Sequence, residues 1–307
     1  MSIERFELAN RETVPDELMH AYRTIMASTW FPNDEPAQRK YMDLPGQAPM
    51  GNVTESLCLV DNDRVVGTAA LYGFSSIRNR DRLTNSERLE NLPSWLTETT
   101  YRGDLSVVPE FQGQGLASQL VDQLKSRAFD QSQSVVPNRI IGITEATNEG
   151  MLRVVRNSGG NVVSPEDYHF IKLPNSTRPR YLKQSSRFSV QPYYLDKQYP
   201  PVIHLFYDDQ NEIQAGAIAT SPNVPGETLA RSTGNIDDLF PNQCVGFINP
   251  ELSRRKMRML LPTIYNAVSR YKYISLFQRK NNDGEYTGND VLRNGFKDGW
   301  TLYEYLK

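Results

Sequence analysis

The chain has 307 residues, of which 38% are hydrophobic and 23% are charged, and its formal net charge is -2. This composition is typical of a globular protein, and at roughly 150 residues per domain the length predicts one large or two modest domains, of which we expect two. The near-neutral charge provides no broad electropositive field, so we expect no nucleic-acid partner. Without an apolar signal core or a window near the ~18 apolar residues of a membrane span, we expect a cytoplasmic protein without membrane contact.

The two cysteines indicate the same compartment. Cys58 and Cys244 are far apart in the chain and lie inside apolar runs. This pattern predicts buried free thiols under reducing conditions rather than a disulfide framework. We also expect no metal site.

The first predicted elements are a helix over residues 15–26 and a hairpin with strands 57–60 and 65–71. The helix has an apolar stripe at helical spacing, and turn residues 61–63 separate the strands. A polar, charge-rich insertion over residues 75–99 follows, too long for a simple turn. Its acidic residues Glu87, Glu90 and Glu98 are candidates to attract a cationic substrate, and the alternative is a solvated surface loop.

Strands and helices then alternate. Strand 105–108 leads into a helix from residue 116, and strand 139–144 leads into a helix over residues 148–157, which ends at Gly159 and Gly160. A strand over residues 168–173 is predicted to close the first half.

The second half repeats this order after a Pro/Ser/Arg-rich candidate linker, residues 174–189. A hairpin (202–207 and 213–219), a strand (245–248), a helix expected to bend at Pro262, a strand (273–277), a short helix (290–294) and a last strand (300–306) are predicted. Pro109 and Asn148 are as far apart in the chain as Pro250 and Asn289. An internal duplication is the simplest explanation, and chance similarity of two α/β units is the alternative.

The connection between Val108 and the helix at residue 116 contains two glycines, Gly113 and Gly115. A strand, a glycine-containing turn and a helix start together form an anion site, because unpaired backbone N–H groups converge there. Missing side chains let phosphate oxygens approach the backbone. The alternative is that the glycines only make a tight turn.

The segment 105–117 resembles the acetyl-CoA motif of the GNAT superfamily of N-acetyltransferases, which reads Arg/Gln-x-x-Gly-x-Gly/Ala. Gln112, Gly115 and Ala117 occupy the motif positions. The order of elements up to about residue 175 is similar as well, including an asparagine, Asn148, before a helix that ends at glycine. The resemblance implies an α/β (α+β) protein with a GNAT domain (1–175) and a degenerate GNAT-like domain (176–307), each a mixed, mostly antiparallel twisted sheet flanked by helices.

The resemblance also implies a binding mode for acetyl-CoA. Its pyrophosphate would lie on the turn, and its pantetheine arm between two central strands that splay apart. The N–H of Val107 or Val108 would polarise the thioester carbonyl, and Asn148 would hold the arm, although Asn148 is equally explained as a helix N-cap. The implied turn residues are Gln112, Gly113, Gln114, Gly115, Leu116, Ala117 and Ser118.

Acyl transfer to an amine requires a neutral nucleophile, whereas a lysine-like amine has a pKa of about 10.4, so we expect a general base. Arg102, Asp104 and Ser106 are predicted to share one alternating face of a central strand. Asp104 and Glu145 are the catalytic candidates and His169 is the third. For each, an ordinary paired or exposed side chain is the alternative.

The general acid has no clear position. GNAT members often have a tyrosine in the helix after the asparagine, and alignment from Asn148 puts Val155 there. Tyr168 is a possible substitute. Loss of acid assistance is worth roughly 10²- to 10⁴-fold in rate.

The second half has bulky residues where the glycine turn belongs, in the run Pro250-Glu251-Leu252-Ser253-Arg254-Arg255-Lys256. We therefore predict no CoA there, and we expect this half to wall the acceptor pocket.

The sequence thus predicts an N-acetyltransferase that transfers an acetyl group to a primary amine of a small molecule or peptide. The alternative is a non-catalytic acyl-CoA sensor, which is indicated by Val155 at the position where GNAT members often have a tyrosine. A tRNA-dependent aminoacyl transferase, also a tandem-GNAT activity, is disfavoured by the intact glycine turn and the charge balance.

Overall fold

The structure is a computed structural model that describes residues 7–10, 13–42, 55–77, 83, 86–131, 135–164, 168–174, 186–194, 201–219, 243–268, 273–280 and 299–307. Its helices are α1 (Asp16–Trp30), α2 (Glu35–Met42), α3 (Ser94–Thr97), α4 (Leu116–Ala128), α5 (Glu149–Asn157) and α6 (Arg254–Ala267). Its strands are β1 (Glu7–Asn10), β2 (Ser56–Asp61), β3 (Arg64–Tyr72), β4 (Thr99–Val107), β5 (Arg139–Glu145), β6 (Asn161–Val162), β7 (Tyr168–Pro174), β8 (Ser189–Tyr193), β9 (Ile203–Tyr207), β10 (Ile213–Ala219), β11 (Gln243–Ile248), β12 (Tyr273–Arg279) and β13 (Trp300–Leu306). The predicted helix 290–294 and most of the predicted linker lie outside the described residues.

The strands form two mixed sheets. The first has the order β1-β2-β3-β4-β5-β13-β6, and the second has the order β7-β12-β11-β10-β9-β8. The pairs β4–β5 and β11–β12 are parallel, and the other pairs are antiparallel. The predicted fold class, mixed and mostly antiparallel sheets flanked by helices, is confirmed.

Each sheet takes a strand from the other half of the chain. Strand β13 pairs with β5, and β7 pairs with β12. The expectation that strand 168–173 closes the first half is therefore wrong. Alternation of side chains decides which face a strand buries, but not which sheet edge it joins. Pairing crosses the predicted boundary between residues 175 and 176 in both directions, and the division into two GNAT-like domains stays a prediction.

The two sheets share one hydrophobic core. Tyr72 and Tyr101 of the first sheet belong to the same buried cluster as Leu205 and Phe277 of the second. The insertion contributes to this cluster through Leu89 and Leu96, which have no exposed surface. Its description as a solvated loop is therefore wrong for these side chains, because short helical turns bury its leucines between the sheets.

Helices cover the remaining parts of the first sheet. Helix α1 packs on one face, near Cys58 and Val108, and α4 packs on the other, where Leu120 and Tyr303 are fully buried. The apolar spacing of α4 places Leu116, Leu120, Val121, Leu124 and Ala128 in the core as predicted. Cys58 and Cys244 are buried and free, as predicted for these two thiols. No helix in the described ranges is long and apolar enough to span a membrane.

Asp208 organises the turn between β9 and β10. Its side chain is 1% exposed, and Oδ2 lies 3.2 Å from Lys256 Nζ. Oδ1 accepts hydrogen bonds from the N–H groups of Gln210 (3.0 Å) and Glu212 (3.1 Å). Although burial acts to raise the pKa of this carboxyl, the hydrogen bonds and the Lys256 charge outweigh burial and lower it overall.

We expect Asp208→Asn to lower the free energy of unfolding by about 1–3 kcal/mol at neutral pH, because buried donors lose a charged acceptor. Because the pKa of Asp208 is lower in the folded than in the unfolded state, its ionised carboxyl stabilises the fold at pH values above the unfolded-state pKa. This stabilisation is lost as the pH falls through the folded-state pKa, which lies below 3.8. Urea unfolding at neutral pH and near pH 3 tests this, and the difference from the native chain should shrink in acid. The matched control is Asp209→Asn, since Asp209 is an exposed neighbour; equal losses in the two variants would contradict the expectation.

Candidate active site

The glycine turn connects β4 to α4 through a short 3-10 turn, Pro109–Phe111. Gly113 has a φ of +78° and Gly115 a φ of +82°, in the left-handed region that side chains disfavour. A Cβ built at either glycine would meet no atom within 4 Å. Both glycines therefore satisfy the turn conformation and also face open space, where a ligand can approach the backbone.

Backbone donors line this space. Gly115 is the N-cap of α4, and no side chain caps the helix. Within the described part of the chain, the N–H groups of residues 113–118 donate to no protein acceptor, whereas Gln119 N donates to Gly115 O. By contrast, α5 is capped by Asn148 Oδ1, which lies 3.0 Å from Met151 N. The unpaired donors of α4 are free to bind an anion.

Side chains hold the turn in shape without occupying the donors. Gln112 Nε2 donates to Val107 O at 2.8 Å, and Gln114 Nε2 lies 3.4 Å from Glu110 O. Glu110 also forms an ion pair with Arg64 of β3. The two glutamines thus bond to carbonyl oxygens of their own turn, and the N–H groups stay available.

Strands β4 and β5 part beside the turn. Their parallel pairing covers only Thr99–Tyr101 opposite Arg139–Ile141. In the second sheet, the corresponding pair β11–β12 stays together as far as Phe247 opposite Phe277. The first sheet therefore has a gap that begins after Tyr101 and Ile141, while the second sheet has no equivalent opening along these described strands.

The backbone of β4 directs the N–H group of Val107 toward the gap. Val108 N donates to Val66 O at 2.9 Å, so Val108 is committed to β3 and the proposal that it polarises a carbonyl is corrected. Adjacent residues of an antiparallel strand direct their N–H groups to opposite sides. The N–H of Val107 therefore points away from β3, toward the side where β5 has separated.

A β-bulge changes which face the polar residues of β4 occupy. The register with β3 shifts between Thr68 and Ala70, so β4 has an extra residue between Gly103 and Ser106. Arg102 lies on the α5 face, with Nη2 3.6 Å from Met151 Sδ. Ser106 lies on the α1 face, where its hydroxyl bonds to Tyr22 Oη. The expectation of one shared alternating face is therefore wrong for Arg102 and Ser106.

The candidate bases occupy different positions. Asp104 lies in the bulge, and its side chain is outside what the structure describes. Glu145 is the last residue of β5 and is half-buried, and Asn148 N donates to its carbonyl at 3.0 Å. His169 and Tyr168 belong to β7 in the second sheet, so they do not lie beside β5 as the predicted closure of the first half required.

Further side chains fall in unexpected places. Val155 is fully buried under α5, in the same cluster as Tyr303 and Tyr305 of β13. Glu98 is engaged in an ion pair with Arg279, 2.6 Å away, so it is not free to attract a cationic substrate. Tyr303 reaches this cluster through the strand exchange, which the sequence did not predict.

The turn fits a pyrophosphate. Its glycines leave the space that a Cβ would fill, and its N–H groups lack protein acceptors. The gap beside Val107 fits an extended arm. In the described residues, no group of His, Cys, Asp and Glu side chains forms a metal site.

The fold and the turn define a mixed α/β protein with an anion-binding strand–turn–helix unit. Residues 16–159 match the model of the acetyltransferase (GNAT) family. This part of the chain thus matches the GNAT acetyltransferase domain that the motif predicted. A comparison with curated protein sequences found no match.

Solved structures similar to this chain include several acetyltransferases. A GCN5-related N-acetyltransferase from Sphaerobacter thermophilus is 12% identical with a TM-score of 0.39, covering 100% of this chain and 97% of its own. The acetyltransferase yncA from Salmonella typhimurium, solved with acetyl-CoA, is 14% identical with a TM-score of 0.33, covering 56% and 84%. A spermidine N-acetyltransferase from Vibrio cholerae, solved with CoA and spermine, is 14% identical with a TM-score of 0.34, covering 55% and 85%.

Proposed function

We propose that the chain is an N-acetyltransferase that moves an acetyl group from acetyl-CoA to a primary amine of a small molecule or peptide by direct attack. The observation that carries the proposal is the turn itself, with its unpaired N–H groups beside two open glycines. Residues 112–118 would hold the pyrophosphate. Acetyl-CoA would supply an acetyl group activated as a thioester.

The gap between β4 and β5 would supply a hydrogen-bond donor for the thioester carbonyl and a contact for the pantetheine arm. A hydrogen-bond donor fixed in the sheet stabilises negative charge on a carbonyl oxygen without reorganisation, and the N–H of Val107 would take this role. The side-chain Nδ2 of Asn148 would hold the arm, because the Oδ1 of the same side chain already accepts the hydrogen bond of the helix cap. The protein would thus orient the acetyl group of acetyl-CoA before the amine binds.

Glu145 is the base that the geometry favours. Along β5, Ile141 and Ile143 pack into the core between the sheets, and alternation places Glu145 on that same face. An acceptor held between α1 and the second sheet would approach the gap from this face. Glu145 would remove the proton that the amine nitrogen loses, and Asp104 is the alternative base.

The proposal predicts binding and turnover together. Acetyl-CoA at about 100 times its Kd should stabilise the fold by roughly 2.7 kcal/mol, which thermal unfolding measures. A panel of polyamines, amino acids and peptide amines, assayed for CoA release, should contain at least one acceptor. Glu145→Gln should lower kcat by roughly 10²- to 10⁴-fold, with the binding of acetyl-CoA unchanged.

The sensor alternative gives a different result. It rests on Val155, which provides no proton at the position the family resemblance assigns to tyrosine. Stabilisation by acetyl-CoA without transfer to any amine, and without an effect of Glu145→Gln or Asp104→Asn, would favour a sensor. If acetyl-CoA neither stabilises the fold nor donates its acetyl group to any amine, both the enzyme and the sensor function are contradicted.

A further inference from the structure

A cavity of about 570 Å³ lies between the insertion and the second sheet. Trp95 of α3 lines it from the insertion. Tyr207 of β9, Gln214 of β10 and Asn249, which follows β11, line it from the second sheet. Cavities of this volume are typical of small-molecule sites. The space is therefore sufficient for a compact ligand.

This cavity lies at the opposite end of β4 from the glycine turn. Trp95 shortly precedes the start of β4 at Thr99, whereas the turn follows the end of β4 at Val107. A strand of this length extends over roughly 25 Å at about 3.3 Å per residue. The ion pair of Glu98 with Arg279 (2.6 Å) joins the start of β4 to the end of β12 in the second sheet. The cavity is therefore distinct from the proposed acetyl-CoA site.

A chain of hydrogen bonds that begins at Asp208 fixes the amides of the cavity wall. The Asp208 carboxylate can only accept, so Gln214 turns its Nε2 toward it, 3.0 Å from Oδ2. Gln214 Oε1 accepts from Asn249 Nδ2 at 3.0 Å, and Asn249 Oδ1 accepts from the N–H of Glu251 at 3.0 Å. Each of the two amides thus has a fixed orientation and retains one N–H and one lone pair for a ligand.

Other groups that line the cavity have no side-chain partner among the described residues. Tyr207 is only 8% exposed, yet its hydroxyl makes no hydrogen bond there. The side chains of Asn91 and Asn211 make none either, and the Trp95 indole has neither a hydrogen bond nor a ring contact in the same ranges. A buried polar group without a partner costs free energy, so such groups are rare unless they have a use. A ligand in the cavity would bond to them.

The lining groups match hydroxyl groups better than they match ions. An amide offers both a donor and an acceptor, as a hydroxyl group does. A bound cation would leave the N–H groups of Gln214 and Asn249 unmatched. A bound anion would leave their oxygens unmatched and would meet the carboxylate of Glu212, the one charged side chain among the described lining residues. The flat indole of Trp95 suits the apolar C–H face of a sugar ring.

We propose that this cavity is a second ligand site, which binds a neutral sugar. One face of the sugar ring stacks on Trp95, and its hydroxyl groups bond to Gln214, Asn249 and Tyr207. The site uses no residue of the glycine turn or of the gap between β4 and β5, so it goes beyond the proposed function and does not depend on it. It gives the C-terminal half, where bulky residues replace the glycine turn, a binding role of its own.

The test measures binding of methyl β-glucopyranoside, N-acetylglucosamine and trehalose to the full chain by calorimetry. At least one of the three sugars should bind. Putrescine and inorganic phosphate serve as the cationic and anionic probes, and each should bind at least about tenfold more weakly than that sugar, because either ion leaves part of the amide wall unmatched. Sugar binding should persist with saturating acetyl-CoA and in Gly115→Glu, since the length of β4 separates the two sites.

Variants of two aromatic residues locate the sugar in this cavity. Trp95→Ala should weaken sugar binding by at least about tenfold, because the stacking surface is lost. Tyr207→Phe should weaken it by about two- to tenfold without lowering the melting temperature, because it removes no hydrogen bond to the described residues. The matched control is Tyr265→Phe. The Tyr265 hydroxyl is also buried without a described partner, but it lies in the cluster under α6 and not at the cavity.

Four results would overturn the sugar site. They are no binding of any of the three sugars, tighter binding of putrescine or phosphate than of every sugar, equal losses in Tyr207→Phe and Tyr265→Phe, and loss of sugar binding with acetyl-CoA or in Gly115→Glu. The last result would place the sugar in the acetyl-CoA site. A chain that binds a sugar but not acetyl-CoA overturns the proposed function and leaves the sugar site standing, so the two failures are distinguishable.

Discussion

Replacing Gly115 with glutamate should abolish acetyl-CoA binding, with a loss in affinity of more than about 100-fold, or roughly 2.7 kcal/mol. At a φ of +82° a side chain is strained, and a carboxylate would occupy the open space beside the N–H groups of residues 113–118. Two negative groups cannot share this site. Calorimetry with acetyl-CoA measures the loss, and CoA release should disappear with it.

The matched control for this substitution is Gly159→Glu. Gly159 is exposed, has a φ of +71°, and lies at the end of α5, where the nearest atom to an added Cβ is Lys125 Nζ at 3.9 Å. The control adds the same charge and similar backbone strain at the C-terminal end of α5 instead of in the turn. Normal affinity in Gly159→Glu together with lost affinity in Gly115→Glu locates the effect at the turn. Unchanged affinity in Gly115→Glu would remove the cofactor assignment.

The turn was predictable because its chemistry is local. Gly113 and Gly115 have the positive φ values that only glycine adopts at low cost, and helix α4 buries the apolar positions of its sequence pattern. Asn148 shows the limit of such reasoning. It caps α5 in the structure, and the same residue type would serve either a cap or a ligand contact.

The rest of the site depends on contacts distant in sequence. Strand β13 has the alternating pattern of any half-buried strand, so nothing in residues 300–306 indicates pairing with β5 rather than with its own half. The bulge in β4 likewise reverses the alternation between Arg102 and Ser106 without a local signal. Tyr303 meets Arg102 only because β13 joins the first sheet.

The exchange of strands makes the two halves interdependent, and we expect the fragment 1–175 not to fold alone. It lacks β13, whose Leu302, Tyr303 and Tyr305 are fully buried in the first sheet. Losing such side chains costs roughly 2–5 kcal/mol each, and the loss of all three is comparable to the entire stability of about 5–15 kcal/mol of a typical domain. Thermal unfolding of the purified fragment should show no cooperative transition, and acetyl-CoA should not bind.

Co-expression of the fragments 1–175 and 176–307 provides the control, because β13 is then present to pair with β5 and β7 to pair with β12. The two fragments should purify as a complex and recover acetyl-CoA binding. A cooperatively folded, acetyl-CoA-binding 1–175 fragment would contradict the expectation and would mean that β7 occupies the place of β13 beside β5.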